Sequence, residues 1–375
     1  MKPLGLYIHI PFCKKKCNYC DFYSKSCGST TEYVDALCEH LKKEAPLYKD
    51  YEITTIFIGG GTPSLLDEKE INKLCKTIKN SLKMAPCVEF SIEANPGTLT
   101  KEKLQAYIEN GINRISIGLQ SANEDELRLL GRIHTTDDFE KSIALAKEVG
   151  FDNINVDVMY ALPGQTVESL AKTIDYVSKF NPDHISAYCL KIEEGTPFYK
   201  QRDTFDLPSE DTEYQMYMYL CKTLDEKGYL QYEISNFSKP QKQCAHNLTY
   251  WLSNEYVGFG PSAHSFINGK RYFYENDVEK YKNDALRVDF CPVKLFEEEN
   301  EIKQGSMDEY VMLRLRLSRG IDLCSFKAEF GVDFEEAYPN ILDYYKDGYA
   351  LKENGTVHFT SKGFFVSNYI LSRIL

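Results

Sequence analysis

Leu4-Gly5-Leu6-Tyr7-Ile8-His9-Ile10 runs without a break into Pro11-Phe12-Cys13-Lys14-Lys15-Lys16-Cys17-Asn18-Tyr19-Cys20-Asp21-Phe22. The first part is apolar and β-branched and reads as a strand, which a proline and three successive lysines end in a solvated loop. Three thiols, Cys13, Cys17 and Cys20, fall within eight residues of that loop. Convergent thiolates hold a soft metal centre. Three of them cannot fill all four iron sites of a cubane cluster, so one iron is left for a ligand that is not protein. Two blander readings compete. On a helix the spacing i, i+4, i+7 would put the three on one buried face, but that face carries no Leu, Ile or Val. Structural zinc wants four nitrogen or sulfur ligands, and only His9 stands near enough in sequence to complete a set.

Outward from this stretch, strand and helix patterns alternate. Short apolar runs at 54–58, 88–92, 114–118, 153–159 and 184–190 end in or carry Gly59-Gly60-Gly61-Thr62-Pro63, Glu93-Ala94-Asn95-Pro96-Gly97, Leu119-Gln120-Ser121, Asp157 and Leu190. Helical periodicity occupies 31–48, 67–82, 101–110, 124–130, 137–149 and 167–180. Six such units predict an α/β fold, a partial (β/α)6 TIM-like barrel, with a doubly wound open sheet as the alternative. The barrel gains weight because Cys13, Gly60, Glu93, Gln120 and Asp157 all lie at or near strand carboxyl ends, which in barrels form the reacting rim. Patterns at 307–319, 323–330 and 334–347, a two-stranded wing at 349–359 turning on Asn354-Gly355, and a last helix from Ser361 predict a C-terminal helical, winged-helix-like domain. The domains expected are 1–237 for the barrel, 238–291 for a connecting segment and 292–375 for the C-terminal part.

Composition bounds the function. The 375 residues are 43% hydrophobic and 27% charged, with a net charge of −12, and phosphate neutralisation needs a basic surface. The C-terminal part repeats the sign, with 10 Lys+Arg against 14 Asp+Glu over 292–375. A nucleic-acid partner is therefore not expected. Three residues before the first strand leave no room for a leader, and no apolar run reaches a membrane span, so a cytoplasmic protein is expected. Twelve cysteines are scattered without the dense pairing of a secreted scaffold. Outside the triplet, Cys38, Cys75, Cys189 and Cys221 read as small buried side chains.

Cys-x3-Cys-x2-Cys with Tyr19 before the last cysteine resembles the radical S-adenosylmethionine (SAM) superfamily. The resemblance implies a 4Fe-4S cluster whose open iron is chelated by SAM, with one electron from the cluster splitting the sulfonium to a 5′-deoxyadenosyl radical. It also implies a SAM set of Tyr7, Tyr19, Gly60, Gly61, Thr62, Glu93, Gln120, Arg132 and Asp157. Within that set Glu93 and Asp157 are anions for the ribose hydroxyls and the ammonium, Arg132 a bidentate partner for the carboxylate, and Gln120 a donor and acceptor. The runs Leu6 to Cys13, Gly-Gly-Gly-Thr-Pro, Ile92-Glu93, Gly118-Leu119-Gln120, Gly131-Arg132 and Asp157 with Leu162-Pro163-Gly164 are similar to the oxygen-independent coproporphyrinogen oxidase group. The decarboxylating enzyme has a further cysteine where Phe22 stands, and an N-terminal extension that this chain lacks. Both differences count against decarboxylation.

Farther on, Cys244-Ala245-His246-Asn247-Leu248-Thr249-Tyr250-Trp251 contains the only tryptophan. His-Asn-x-x-Tyr-Trp resembles the signature of the HemW-type haem chaperones, relatives of the oxidase that bind haem and pass it on. The resemblance implies a haem site of His246, Asn247, Tyr250 and Trp251. Imidazole ligates haem iron and large aromatics cover a porphyrin face, although the same residues would equally fill the mouth of a barrel. Cys244 and His264 are competing ligands. The partners implied are haem, haem-accepting cytochrome apoproteins and a flavodoxin or ferredoxin-type electron donor, which the Lys14–Lys16 run would steer. Peripheral membrane contact and a homodimer are compatible with this reading. The rivals are coproporphyrinogen III decarboxylation, a radical methylase or haem-degrading activity, and a zinc-bound scaffold.

Overall fold

The computed structural model describes residues 1–26, 28–296 and 305–375. Six parallel strands form its centre: β1 (Lys2–Ile10), β2 (Tyr51–Gly60), β3 (Met84–Ala94), β4 (Arg114–Gln120), β5 (Ile154–Tyr160) and β6 (His184–Cys189). They lie side by side in sequence order. A doubly wound sheet reverses its strand order at a switch point. None occurs from β1 to β6, so every crossover helix falls on the same side and the other face becomes an interior.

The crossover helices are α1 (Thr30–Glu44), α2 (Glu68–Ser81), α3 (Lys101–Glu109), α4 (Glu124–Leu129), α5 (Thr136–Glu148) and α6 (Val167–Lys179). Local chemistry sets their starts. Asp67 and Glu70 make a capping box for α2, Thr135 and Asp138 one for α5, and Ser29, Thr100 and Thr166 cap α1, α3 and α6. The stripe Tyr33, Val34, Leu37, Cys38 and Leu41 is fully buried, as its spacing predicts. Opposite the helices, Ile115, Ile117 and Leu119 of β4 and Val156 and Val158 of β5 are closed off from solvent, each contributing about 1.5–3 kcal/mol. Their alternates Ser116, Gly118, Gln120, Asn155 and Asp157 line a cavity instead, as a strand's period of two requires.

Beyond β6 come α7 (Pro197–Gln201), α8 (Glu210–Glu226), β7 (Leu230–Gln231), β8 (Asn236–Ser238) and α9 (Ala245–Trp251). The sheet grows at both edges. On one side β8 pairs antiparallel with β6, and on the other β9 (Tyr256–Phe259) runs parallel to β1 and is followed by β10 (His264–Ile267) and β11 (Lys270–Tyr274). The barrel is partial, as expected. Among the described residues no helix is long and apolar enough to cross a membrane.

Of the C-terminal part expected from residue 292, residues 297–304 lie outside the described set. The rest holds a three-stranded sheet, Ile321–Asp322 beside Thr356–Phe359 beside Ala350–Glu353, with helices around it. Its hairpin turns on Asn354 and Gly355, both at positive φ. Two expected helices are shorter than their periodicity. The first ends at Arg314 rather than 319 because Ser318 N–H bonds the Tyr232 carbonyl, and Gly320, at φ 62°, packs on the Val357 carbonyl. The second splits into Phe334–Ala337 and Ile341–Lys346 because Pro339 withdraws a donor and pushes Tyr338 out of the helical region.

This unit closes the barrel's open side. Phe364, Phe365 and Arg316 line the central cavity, and Arg314 donates to the carbonyls of Trp251 (2.6 Å) and Leu252 (3.1 Å) at the end of α9. Its core centres on Phe326, fully buried and in ring contact with Tyr310, Phe330, Phe334 and Tyr338. Phe326→Ala is expected to cost about 3–5 kcal/mol. Denaturant titration followed by the fluorescence of Trp251 measures it, and a loss under 1 kcal/mol would contradict this packing.

Candidate functional site

The carboxyl ends of β1 to β6 converge on a cavity of about 880 Å³, at the upper end of the roughly 300–1,000 Å³ typical of small-molecule sites. The cysteine loop forms its roof. The loop is pinned by Cys13 N–H to the Lys25 carbonyl (2.9 Å), Lys25 N–H to the Pro11 carbonyl (2.8 Å) and Asn18 N–H to the Leu130 carbonyl (2.9 Å). His9 supports it from beneath, sharing hydrogen bonds with the Tyr23 carbonyl (2.9 Å) and the Tyr7 hydroxyl (3.1 Å). Burial pulls its imidazole down to about 4, so it is neutral there.

Two of the three sulfurs are joined by one chain of donors. Thr62 Oγ1 donates to Cys13 Sγ (3.4 Å), Asn95 Nδ2 donates to Thr62 Oγ1 (2.9 Å), and Arg132 donates both to Asn95 Oδ1 (2.7 Å) and to Cys17 Sγ (3.5 Å). Burial, with Cys17 and Cys13 nearby, pushes the Cys20 thiol up to about 11, a proton that metal binding would displace. The group spreads wider than a single-ion site. Among the described residues the one triad with ligand atoms all within 4.8 Å is His40, Glu44 and Cys291, and there the Lys294 ammonium already sits 2.9 Å from Glu44. Tetrahedral zinc draws sulfurs closer than that limit. Three half-buried thiols more widely spaced suit the larger cubane, whose potential the donors on two of them would tune.

Below the loop, Glu93 Oε2 accepts the Gly60 N–H (3.0 Å). Gly60 stands at φ 113°, and a Cβ there would meet the His9 ring at 2.6 Å, while one on Gly61 would meet the Phe12 carbonyl at 2.7 Å. These glycines let the loop sit on the strand as well as bare the backbone to the cavity. Asp157 accepts from Asn155 (2.7 Å) and Ser116 (3.0 Å). Gln120 ends β4 at φ 74°, next to an irregularity in the β4–β5 register, and lines the cavity. Burial, helped by Asp157, pushes the Glu93 carboxyl up to about 8, and burial raises Asp157 too.

Of the nine residues of the expected SAM set, eight line this cavity and Tyr7 does not. Tyr7 sits a layer deeper, near-parallel to Phe57 and His246. Arg132 spends its donors on Asn95, Cys17 and the Gly118 carbonyl (2.8 Å). From α9, Asn247, Tyr250 and Trp251 face the cavity. His246 does not offer a free nitrogen: Nδ1 meets Thr55 Oγ1 at 2.8 Å and Nε2 meets the Tyr250 hydroxyl at 2.7 Å, with the residue 1% exposed. Burial holds it neutral, down to about 3. Of the competing ligands, Cys244 is buried against Glu89 (3.5 Å) and His264 is exposed on β10, stacked on Phe273.

Several lining residues escaped the sequence reading: Asn95, Arg114, Ser116, Asn155, Ser186 and Glu233. The signal was available for most of them. Arg114, Ser116 and Gln120, or Asn155 and Asp157, stand at alternate positions of strands whose other residues are apolar, the mark of a lined interior.

The Radical SAM superfamily profile matches residues 7–177, and that of the HemN C-terminal domain residues 304–366. Heme chaperone HemW of Lactococcus lactis is 34% identical over 100% of this chain and 98% of its own length. Heme chaperone HemW of Bacillus subtilis is 35% identical over 98% of each, and that of Escherichia coli 33% over 100% of this chain and 99% of its own. Among solved structures, coproporphyrinogen III oxidase (HemN) from Escherichia coli, a radical SAM enzyme, shares the fold. Its TM-score is 0.83 over 100% of this chain and 90% of that one, at 24% identity.

The buried carboxyls generate a pH dependence. Glu93, ordinarily near 4.5, keeps its proton in the folded chain up to about 8, whereas the unfolded chain releases it near 4.5. Its stabilisation is thus complete below 4.5 and is lost as pH rises through 8, at about 1.4 kcal/mol per pH unit between. Glu233, raised to about 7 by burial, acts in the same direction. Unfolding titrations of the metal-free protein from pH 5 to 8 should show a shallower decline for Glu93→Gln than for wild type, and equal slopes would refute the assignment.

Proposed function

The chain belongs to the radical SAM superfamily and, within it, to the HemW-type haem chaperones, and on that premise we propose that it binds haem in the central cavity and passes it to cytochrome apoproteins. The observation that carries this reading is the facing of two sequence motifs across one space: the cysteine loop from above and Asn247, Tyr250 and Trp251 from the side. Above a polar floor, Tyr188, Tyr217, Tyr250, Trp251, Phe364 and Phe365 give the cavity an aromatic wall that suits a flat, largely apolar macrocycle.

In this reading Cys13, Cys17 and Cys20 hold the 4Fe-4S cluster, which when present supplies one electron and one open iron. Gly60 and Gly61 bare their backbone to SAM, Glu93 and Asp157 face its ammonium and ribose as carboxyls that would ionise beside the cation, and Gln120 and Tyr19 complete the wall. Thr62 and Arg132 act mainly on the sulfurs, to which they donate. Tyr7 supports the cysteine loop through His9. His246 positions Tyr250 rather than ligating iron, since both its ring nitrogens are engaged.

Anaerobic reconstitution followed by haem titration tests the reading. Wild type should bind haem with a defined Soret band and should yield no protoporphyrinogen from coproporphyrinogen III with SAM and a reductant. Turnover would favour the oxidase, the rival that the shared fold supports. His246→Ala should weaken binding about tenfold, roughly 1.4 kcal/mol, and leave the Soret position unmoved. A shifted band would make His246 the ligand.

The exposed Lys14–Lys16 run borders the cluster loop, and we assign it to docking an acidic flavodoxin- or ferredoxin-type donor. Replacing all three with Glu should slow reduction by flavodoxin at low salt by at least about tenfold. Reduction by a small-molecule reductant should not change, and equal slowing of both would refute the docking role.

A further inference from the structure

Arg114 opens β4, is 2% exposed and lines the floor of the cavity. Its guanidinium carries five N–H donors in a planar fork, yet among the described residues none of them meets an acceptor, and Nε is fully enclosed without a partner. The other two arginines of the cavity have partners: Arg132 donates to Cys17, Asn95 and the Gly118 carbonyl, and Arg316 to Asn368.

The carboxylates near Arg114 are committed elsewhere. Glu89 accepts from the Ala245 and His246 amides (2.9 and 3.0 Å) and caps the start of α9. Asp157 accepts from Ser116 and Asn155, Glu233 from the Ser235 amide (3.1 Å) and Glu93 from the Gly60 amide. Burial opposes the Arg114 charge, but Cys244, Glu89, Tyr232 and Asp157 around it outweigh that and hold the guanidinium charged. None of them bonds the fork, and a carboxylate fits its open donors with two parallel bonds.

We propose that Arg114 is a ligand-binding residue of this cavity, the seat for a carboxylate on the bound molecule, namely a propionate side chain of haem. The inference rests on the haem-binding reading above and adds the direction in which the macrocycle enters, with a propionate edge toward the floor and the cysteine loop above. It also sets a selectivity. A porphyrin whose propionates are esterified keeps its apolar contacts and loses the charge-assisted bonds.

The test compares haem with its dimethyl ester in Soret titrations of the reconstituted full-length protein. Wild type should bind haem at least tenfold more tightly than the ester. Arg114→Gln should bind the two alike, at about the wild-type affinity for the ester, and Arg114→Lys should recover part of the difference. Equal affinities in wild type, or a preference that survives in Arg114→Gln, would overturn the proposal while leaving haem binding intact. Absence of binding to either porphyrin would instead overturn the haem reading and this inference with it. The ester comparison in wild type decides the matter even where Arg114→Gln fails to fold.

Discussion

Each crossover from β1 to β6 lays the next strand on the same side of the last, and that winding puts six carboxyl ends on one rim and six helices on one face. The helices take the odd-numbered face of β4 and its even-numbered neighbours on β5, as Ile115, Ile117, Val156 and Val158 show. The other face has no apolar layer to pack on, so its side chains must satisfy one another or face a cavity. Polar residues at alternate positions follow: Ser116 bonded to Asp157, Asn155 bonded to both, and His184 bonded to Tyr232. The architecture thus creates a polar interior before any ligand is considered.

On that rim the cysteine loop is held by its neighbours more than by itself. Thr62 and Asn95 follow the ends of β2 and β3, Arg132 sits in the loop between α4 and α5, and together they reach two of the sulfurs. Donors aimed at thiolates stabilise added negative charge, and they also fix where the thiolates stand. Below them stand Glu93 near the end of β3 and Asp157 midway along β5, whose proton affinity burial has raised. A cationic ligand arriving here would meet groups that ionise on its arrival.

Much of this was legible in the residues alone. The six strands, their order of alternation with helices, the rim positions of Cys13, Gly60, Glu93, Gln120 and Asp157, and the turn at Asn354-Gly355 follow from period, punctuation and caps. What was not legible depended on distance in space. His246 reads as a ligand until Thr55, far back on β2, and Tyr250 are seen to engage its two nitrogens. Arg114 reads as an ordinary strand-initiating residue until the commitments of Glu89, Asp157 and Glu233 are known. The long helix expected to 319 could not be shortened without knowing that Tyr232 would draw Ser318 away.

The two hydrogen bonds from Arg314 to the carbonyls of Trp251 and Leu252 at the end of α9 tie a helix of the cavity wall to a separate unit. A positive charge at a helix carboxyl end stabilises that end, so α9 does not shift without straining the clamp. Occupancy inside and contact on the far surface of the C-terminal unit are therefore thermodynamically conjugate: whatever one does to the other's affinity is returned in equal measure. A ligand that displaced α9 would pass the strain through these two hydrogen bonds into the C-terminal unit.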